Sequence, residues 1–435
     1  MLEPRSFSPT DPRFLAILAR GADLDAELGG QVAGIIQGVR LRGGDGLLEY
    51  VRRFDADLPD IDSIRVSPEE IRDATARTSG EFLADVRKAA GNIRRFHSRQ
   101  GRRDYVNDDG DGVALARRVL PLARVGVYCP AGTAPLFSTL LMNVIPARLA
   151  GVPEIAVAIP SRRDGGVHPH MLAVAAFLEI DEIYKMGGAH AIAALAYGAG
   201  PVRRVDKIVG PGNAYVAEAK RQVFGTVGID SPAGPSELAI IADAGADPEF
   251  IAADLLSQAE HGSGREAAVL LTDSAELAAA AAAAMAERRL AGLGRSEAVG
   301  RALSRYGAIF ITQDILQAVD AANVIAPEHL EIMTREPERL LPEVVNAGAV
   351  FLGPWSSEPV GDYFAGTNHV LPTNGAARFS SGLGVADFQK EMSVISYSRE
   401  RLRQAGPAII RMAEAEGLTA HADAIRARLP RLGQK

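Results

Sequence analysis

Eight short apolar runs, rich in β-branched residues and separated by helical stretches, constrain the fold of this chain more than any other feature. The runs are RVGVYCP (124–130), EIAVAIP (154–160), EIYKMGG (182–188), DKIVGPG (206–212), ELAIIAD (237–243), AAVLLTD (267–273), GAIFIT (307–312) and GAVFLG (348–353). Repeated strand-then-helix units predict parallel sheet covered by helices. A single (β/α)8 barrel would use the same units, but the turn chemistry differs between the two series of four, which favours two open sheets.

These units divide the 435 residues into four regions. The predicted regions are 1–100, a helical N-terminal region packing on the second lobe; 101–235, an α/β lobe with cofactor-binding turns; 236–375, a second α/β lobe; and 376–435, an arm and helical tail. The fold class is α/β, with two incomplete Rossmann-like parallel-sheet domains, a helical N-terminal segment and a small helical C-terminal tail domain. Ser67, Pro68 and Glu70 have the pattern of a helix start with a capping box.

The strand pattern stops after residue 375. The stretch 376–398 is predicted to be an extended arm. Pro407 is expected to open a first short helix that Gly417 closes, and Thr419 to cap a second. Such a tail has too little apolar surface to fold alone, so we expect it to pack on the body or on another subunit.

Composition excludes several classes of protein. The net charge of −7 is spread over both signs with no basic block, which argues against nucleic acid as a partner. No apolar run is long enough to cross a bilayer, and the first residues lack a signal-peptide pattern, so a cytoplasmic enzyme is expected. The single cysteine, Cys129, excludes an intrachain disulfide and a cysteine-rich metal site, and it is interpreted as a small buried residue rather than a nucleophile.

Three glycine-bearing turns of the first lobe each follow a strand and open a helix. They are PAGTAP (130–135), GGAHAI (187–192) and GPGNAY (210–215). Glycine allows close approach of the backbone to a ligand, and a helix N-terminus offers free N–H groups to an anion. Any one of them could be an ordinary tight turn, and no GxGxxG fingerprint is present. Three turns on one sheet edge indicate a nucleotide cofactor.

Candidate metal ligands occur in the second lobe. Gln258 and His261 lie three residues apart on a predicted helix and so share one face, although a lone histidine near a helix end, with Gly262 following, is more often a C-terminal cap than a metal ligand. Asp362 and His369 lie in a glycine-bearing loop after a strand, where the alternative is a pair of turn caps.

The tail carries a further acid–histidine combination. In the tail, Glu416 ends one helix and His421 lies in the first turn of the next, so both face one corner, although this pair by itself is more typical of a surface feature. His261, Asp362 and His421, with Gln258 as a weaker fourth, would suit zinc, but they are far apart in the sequence.

An ionisable pair also interrupts an apolar stretch. Residues 325–332 read IAPEHLEI, in which Glu328 and His329 are adjacent between hydrophobic residues. From the residues alone a hydrogen-bonded structural pair is the better interpretation.

Several long motifs give the chain a family resemblance. VDKIVGPGNAYVAEAKRQVFG, AGPSE, LLSQAEHG, NVIAPEHLE, GDYFAGTNHVLPT and EGLTAH resemble the motifs of the L-histidinol dehydrogenase family, in the same order, from about residue 30 to the end. That family catalyses the last step of histidine biosynthesis. The resemblance implies a zinc enzyme that oxidises an amino alcohol through an aldehyde to an amino acid with two NAD+.

The resemblance also implies roles for individual residues. The implied zinc ligands are Gln258, His261, Asp362 and His421; the implied substrate contacts are these four with Ser236, His329, His369 and Glu416; and the implied cofactor contacts are Tyr128, His190 and Asn213. It further implies a homodimer in which the tail completes the partner's active site.

The resemblance favours a catalytic role for the Glu328–His329 pair over the structural role that the residues alone suggest. Oxidation of an alcohol needs a base for the hydroxyl proton, which His329 can supply because its ordinary pKa lies near neutrality. Glu328 can activate the water that adds to the aldehyde. Zinc would position the substrate, since histidinol offers an imidazole and an amino nitrogen.

One residue departs from the family pattern. His190 stands where the family has glutamine in GGAQ, which puts that cofactor contact in doubt and hints at a divergent paralogue. Oxidation of another polar alcohol on the same scaffold is therefore the nearest alternative. A non-catalytic nucleotide-binding or assembly protein is the alternative from another class. The Glu328–His329 pair and the four candidate metal ligands argue against it.

Overall fold

The computed structural model describes residues 2–20, 26–131, 134–290, 292 and 295–429. Its helices are α1 (Pro12–Ala19), α2 (Ala26–Phe54), α3 (Pro68–Arg77), α4 (Gly80–His97), α5 (Ser138–Leu149), α6 (Pro169–Phe177), α7 (Gly188–Tyr197), α8 (Ala214–Val223), α9 (Pro248–Ala259), α10 (Ala275–Leu290), α11 (Ser296–Tyr306), α12 (Ile315–Ile325), α13 (Glu358–Tyr363), α14 (Arg399–Ala415) and α15 (Thr419–Arg426). Within those ranges no helix has the length and apolarity needed to cross a membrane.

Within the described residues the strands form three sheets. The strands are β1 (Pro4–Ser6), β2 (Tyr105–Asp108), β3 (Val113–Pro121), β4 (Arg124–Tyr128), β5 (Glu154–Ile159), β6 (Ile183–Lys185), β7 (Lys207–Val209), β8 (Gly228–Ile229), β9 (Glu237–Ala242), β10 (Ala267–Thr272), β11 (Gly307–Ile311), β12 (His329–Met333), β13 (Ala349–Leu352) and β14 (Gln389–Tyr397). The first lobe has the order β6-β5-β4-β7-β8 and the second the order β1-β11-β10-β9-β12-β13, all parallel.

Two open parallel sheets confirm the predicted α/β class, and the single-barrel alternative is wrong. All eight predicted runs contain a strand. The structure adds an interior strand, β12, which begins inside the IAPEHLEI stretch, where Glu331 interrupts the apolar pattern by which a buried strand is recognised.

The N-terminal region is divided between the lobes. Residues 4–19 lie on the second lobe, where β1 pairs with β11 and Phe14 packs edge-to-face on Phe310. In contrast, α2 packs on one face of the first sheet together with α7, and α3 and α4 pack on the other face with α5 and α6. The expectation that all of 1–100 packs on the second lobe is therefore wrong beyond α1. The capping box is present, with Ser67 accepting from the Glu70 amide at 3.2 Å.

The tail leaves the body through a sheet of its own. Strand β14 pairs antiparallel with β3, which also pairs with β2. Helix α14 begins after Ser398, whose side chain accepts from the Arg401 amide at 3.1 Å, so Pro407 lies inside the helix and does not open it. Gly417, at φ 76°, closes α14 as predicted. Helix α15 begins at Thr419 after Leu418, so Thr419 is the first helical residue rather than the cap.

Candidate active site and metal centre

The acid–histidine pair lies at the amino edge of the second sheet, where the neighbouring strands β9 and β12 begin. Helix α12 ends in the left-handed conformation at Ala326, and Pro327 and Glu328 then connect it to β12, which begins at His329. His329 pairs in register with Leu238 of β9. Ligands of open parallel sheets usually bind at the carboxyl edge, so sequence rules for this fold point to the wrong edge here.

Glu328 is buried among hydrogen-bond donors. Its carboxylate accepts from the Ser236 hydroxyl and, at 3.1 Å, from the Glu237 amide. Burial raises the pKa of Glu328 to about 7, and the hydrogen bond from Ser236 opposes that rise because it favours the ionised form. Glu328 can therefore change its protonation state near neutral pH.

The orientation of the His329 ring leaves one of its nitrogens without a hydrogen-bond partner among the described residues. Nδ1 lies 3.1 Å from the Glu237 carbonyl oxygen, so Nδ1–H donates there and Nε2 carries no proton in the neutral ring. Burial lowers the pKa of His329, which favours that neutral form. Nε2 is buried without a hydrogen-bond partner in the described part of the chain and lies 3.9 Å from the Asp362 carboxylate. A neutral imidazole with a lone pair that accepts no hydrogen bond has the chemistry of a general base.

Next to this base, His261, Glu358 and Asp362 can each offer one ligand atom, all within 4.8 Å of one another. Nitrogen and carboxylate oxygen suit zinc and other divalent cations. Glu358 was not predicted. It lies on α13 one turn before Asp362, and the spacing of four would have revealed it had a helix been predicted there. Asp362 accordingly lies on a helix and not in the expected loop.

Gln258 and His261 converge at the end of α9. His261 lies just beyond the helix rather than on it, and its Nδ1 is 3.2 Å from the Gln258 carbonyl oxygen. The Gln258 side chain is fully buried, yet its Oε1 accepts no hydrogen bond from the described residues. Buried polar atoms normally have partners, so an unpaired amide oxygen beside a ligand cluster fits the role of a cation ligand.

His369 reaches the same cluster from a loop tied to the first lobe. Its Nδ1 donates to the Asp362 carbonyl oxygen at 3.2 Å, and burial lowers its pKa. The loop is anchored because the Asn368 amide donates to the Met142 carbonyl at 2.7 Å. Both lobes therefore contribute to holding the site.

A cluster of buried acidic side chains lies beside α13 and accepts a hydrogen bond from its first residue. Glu331 accepts the amide N–H of Glu358 at 2.8 Å, and Asp254 lies one turn before Gln258 on α9. Burial raises the pKa of Glu331 and Glu358 well above the ordinary value and that of Asp254 to about 6. Burial close to one another therefore favours the protonated form of these carboxyls.

Two predicted site residues are not brought to this cluster within one chain. Glu416 and His421 are both exposed on the tail, and neither belongs to the ligand group found among the described residues. Helix α15 packs on α14, and α14 continues from the arm paired with β3.

The predicted cofactor residues lie around the carboxyl edge of the first sheet. Asn213 caps α8 and is exposed, with its Oδ1 accepting from the Val216 amide at 3.1 Å. Tyr128 is 3% exposed, and its hydroxyl accepts from the Gly188 amide at 3.1 Å. His190 is 1% exposed and pairs with Asp55. The turn 130–135 includes residues 132 and 133, which lie outside the described residues.

Cys129 is fully buried at the end of β4, and burial raises the pKa of its thiol well above the ordinary value. A buried neutral thiol is a poor nucleophile. We therefore expect Cys129→Ala to retain most of the turnover and to lose stability by about 1–2 kcal/mol through the small cavity. Steady-state kinetics and thermal unfolding check this. A loss of turnover of about a thousandfold, or ~4 kcal/mol in barrier, would instead indicate a covalent thiohemiacetal route.

Together the fold and the site define an α/β enzyme with a candidate metal centre beside an acid–histidine pair. The chain belongs to the histidinol dehydrogenase family, whose model matches residues 18–429. It is 53% identical to a histidinol dehydrogenase of Geobacillus kaustophilus over 92% of this chain and 93% of that protein. It is 48% identical to that of Bacillus subtilis over 93% of both chains. The crystal structure of histidinol dehydrogenase from Elizabethkingia anophelis matches with a TM-score of 0.91 and 37% identity, covering 100% of this chain and 99% of that one.

Proposed function

We propose that this chain is a zinc-dependent L-histidinol dehydrogenase that oxidises L-histidinol through L-histidinal to L-histidine with two NAD+, in the cytoplasm. The observation that carries the proposal is the bare, buried Nε2 of His329, 3.9 Å from a carboxylate of the ligand group. Glu328, whose pKa is raised to about 7 by burial, lies next to it. Family membership supports the same substrate.

The metal would be held by Gln258, His261 and Asp362 of one subunit and His421 of the other. The donor set fits zinc, because it combines imidazole nitrogens with carboxylate and amide oxygens. Glu358 offers one further carboxylate to the same group. When bound, zinc would orient the substrate through its imidazole and amino nitrogens.

In the first oxidation, His329 accepts the hydroxyl proton at Nε2 while the carbinol hydrogen leaves as hydride to NAD+. The hydrogen bond from Nδ1 to Glu237 keeps the ring in the tautomer that can accept this proton. The product is the aldehyde.

In the second oxidation, Glu328 in its ionised form takes a proton from the water that adds to the aldehyde carbon. The hydrate then loses a second hydride to NAD+ and a hydroxyl proton, which leaves the carboxylic acid. Ser236 orients Glu328 through its hydrogen bond and, with His369 and Glu416, would contact the substrate.

The tail would complete the site of a second copy of the chain in a homodimer. Exposure of Glu416 and His421 supports this, since each is available to another subunit. Strand β14 and its neighbours also leave large apolar side chains exposed, including Ile395 and Val106. The cofactor would lie along the turns after β4, β6 and β7, near Tyr128 and Asn213.

The direct test is NADH formation by purified protein with zinc and L-histidinol. We expect two NADH for each histidinol consumed, loss of activity with a chelator, and recovery with added zinc. His261→Ala should lower zinc content measured by atomic spectrometry, because one ligand is removed. His170→Ala, a histidine stacked on Phe82 in the first lobe, is the matched control and should keep full zinc.

Full activity in metal-free protein would refute the zinc assignment. Turnover of another polar alcohol but not of histidinol would support the paralogue alternative that His190 suggests. Binding of NAD+ without turnover of any alcohol would indicate a non-catalytic protein.

A further inference from the structure

A buried aspartate fixes the GGAH turn (187–190) by accepting hydrogen bonds from two of its residues. Asp55, at the end of α2, accepts the Gly187 amide at 3.0 Å and lies 2.8 Å from His190 Nε2, which donates to the same oxygen. The two side chains are 7% and 2% exposed. The His190 ring stacks on Phe54 with centroids 6.0 Å apart. In this arrangement His190 is engaged inside the protein and is not open to a ligand.

A second buried aspartate holds the GPGN turn in the same way. Asp230 accepts the Gly210 amide at 2.7 Å and forms an ion pair with Lys220, whose ammonium donates to the Gly210 carbonyl at 3.0 Å. The side chains of this pair are 5% and 1% exposed. Both polar groups of Gly210 are therefore fixed by one ion pair.

The two turns also meet at a single tyrosine. The Tyr128 hydroxyl accepts from the Gly188 amide at 3.1 Å. Gly210 has φ 114°, and a Cβ there would lie 2.1 Å from the Tyr128 carbonyl oxygen, so only glycine fits. The positions of both turns are thus linked through Tyr128.

The buried Asp230–Lys220 ion pair is a poor source of stability, because removing two charges from water costs about as much as their pairing returns. Burying the polar Asp55–His190 pair likewise gains little over leaving both groups in water. Both aspartates direct an oxygen at the amide of a turn that follows a strand at the carboxyl edge. Orienting a turn before the ligand arrives lowers the ordering cost of binding. The geometry therefore favours a role in binding over a role in stability.

We propose that Asp55 and Asp230, with His190 and Lys220 as their partners, are positioning residues that pre-set the two turns for the dinucleotide. This inference rests on the proposed function, since it takes NAD+ as the ligand. It gives His190 the role of supporting the turn through Asp55 instead of contacting the cofactor directly.

The test measures NADH affinity by calorimetry alongside kinetics on the zinc-loaded enzyme. Asp55→Ala removes the acceptor for the Gly187 amide and should raise the dissociation constant of NADH and the KM for NAD+ about tenfold, with the KM for histidinol and the zinc content unchanged. Asp55→Asn retains an acceptor and should recover most of the affinity. His190→Gln keeps a donor to Asp55 and should bind nearly as wild type, whereas His190→Leu should resemble Asp55→Ala.

Glu182→Ala is the matched control. Glu182 belongs to a largely buried ion pair with Arg124, which begins β4 at the opposite edge of the same sheet. Glu182→Ala should lower the melting temperature of the protein without changing its affinity for NADH. If Asp55→Ala does not fold, His190→Leu against His190→Gln gives the same comparison.

Two results would overturn the inference: wild-type NADH affinity in folded Asp55→Ala or His190→Leu, or an equal loss in Glu182→Ala. If the wild type binds NADH and oxidises histidinol while the variants are unaffected, only this inference fails. If the wild type binds no NADH, the proposed function fails with it.

Discussion

His329→Asn should lower kcat for histidinol oxidation by about a thousandfold, because general bases contribute roughly 10²–10⁴ to such steps. Asparagine can still donate to the Glu237 carbonyl, as Nδ1 does at 3.1 Å, but it offers no basic nitrogen to the substrate hydroxyl. The measurement is steady-state NADH formation together with zinc content, which should not change.

The matched control for His329→Asn is His170→Asn. His170 lies on α6 in the first lobe and stacks on Phe82, so its replacement should leave kcat near wild type. A His329→Asn enzyme with more than a tenth of wild-type turnover would show that another group removes the proton.

The half-reaction from aldehyde to acid should have its own pH dependence. Burial raises the pKa of Glu328 to about 7, and only the ionised carboxylate can accept a proton from water. The rate with L-histidinal as substrate should therefore rise as pH increases through about 7 and level off above it. Glu328→Gln should lose this rise together with most of the rate, and a wild-type profile in that variant would exclude Glu328 as the base.

Two inactive variants should rescue each other if the tail serves the partner subunit. His261→Ala damages the body and His421→Ala damages the tail, and each homodimer should lose metal and activity. In a mixed dimer one site carries both defects, whereas the other has an intact body from one chain and an intact tail from the other. Random co-refolding should give about a quarter of wild-type activity, since half of the dimers are mixed and each has one good site.

The control for this experiment mixes His261→Ala with Gln258→Ala. Both changes lie in the body, near the end of α9, so every site in the mixture is damaged and no activity should return. Absence of recovery in the first mixture, with mixed dimers demonstrated by differently tagged chains, would mean that each tail serves its own chain.

The second lobe illustrates what local sequence patterns predict well. Runs such as ELAIIAD and AAVLLTD are β-branched and apolar, because a parallel strand covered on both faces needs apolar side chains all along its length. Both are strands, at Glu237–Ala242 and Ala267–Thr272. The strand His329–Met333 escaped prediction because Glu331 interrupts its apolar pattern.

The amino-acid sequence by itself determined the strand-and-helix units, the two-sheet class and the residue types able to bind a metal or move a proton, since each depends on neighbours a few positions away. Only the tertiary structure decided that Glu358 joins His261 and Asp362, that His329 has its Nδ1 engaged and its Nε2 bare, and that His190 is paired with Asp55. These contacts join residues separated by about a hundred positions. They follow from strand register and helix packing, which no local pattern specifies.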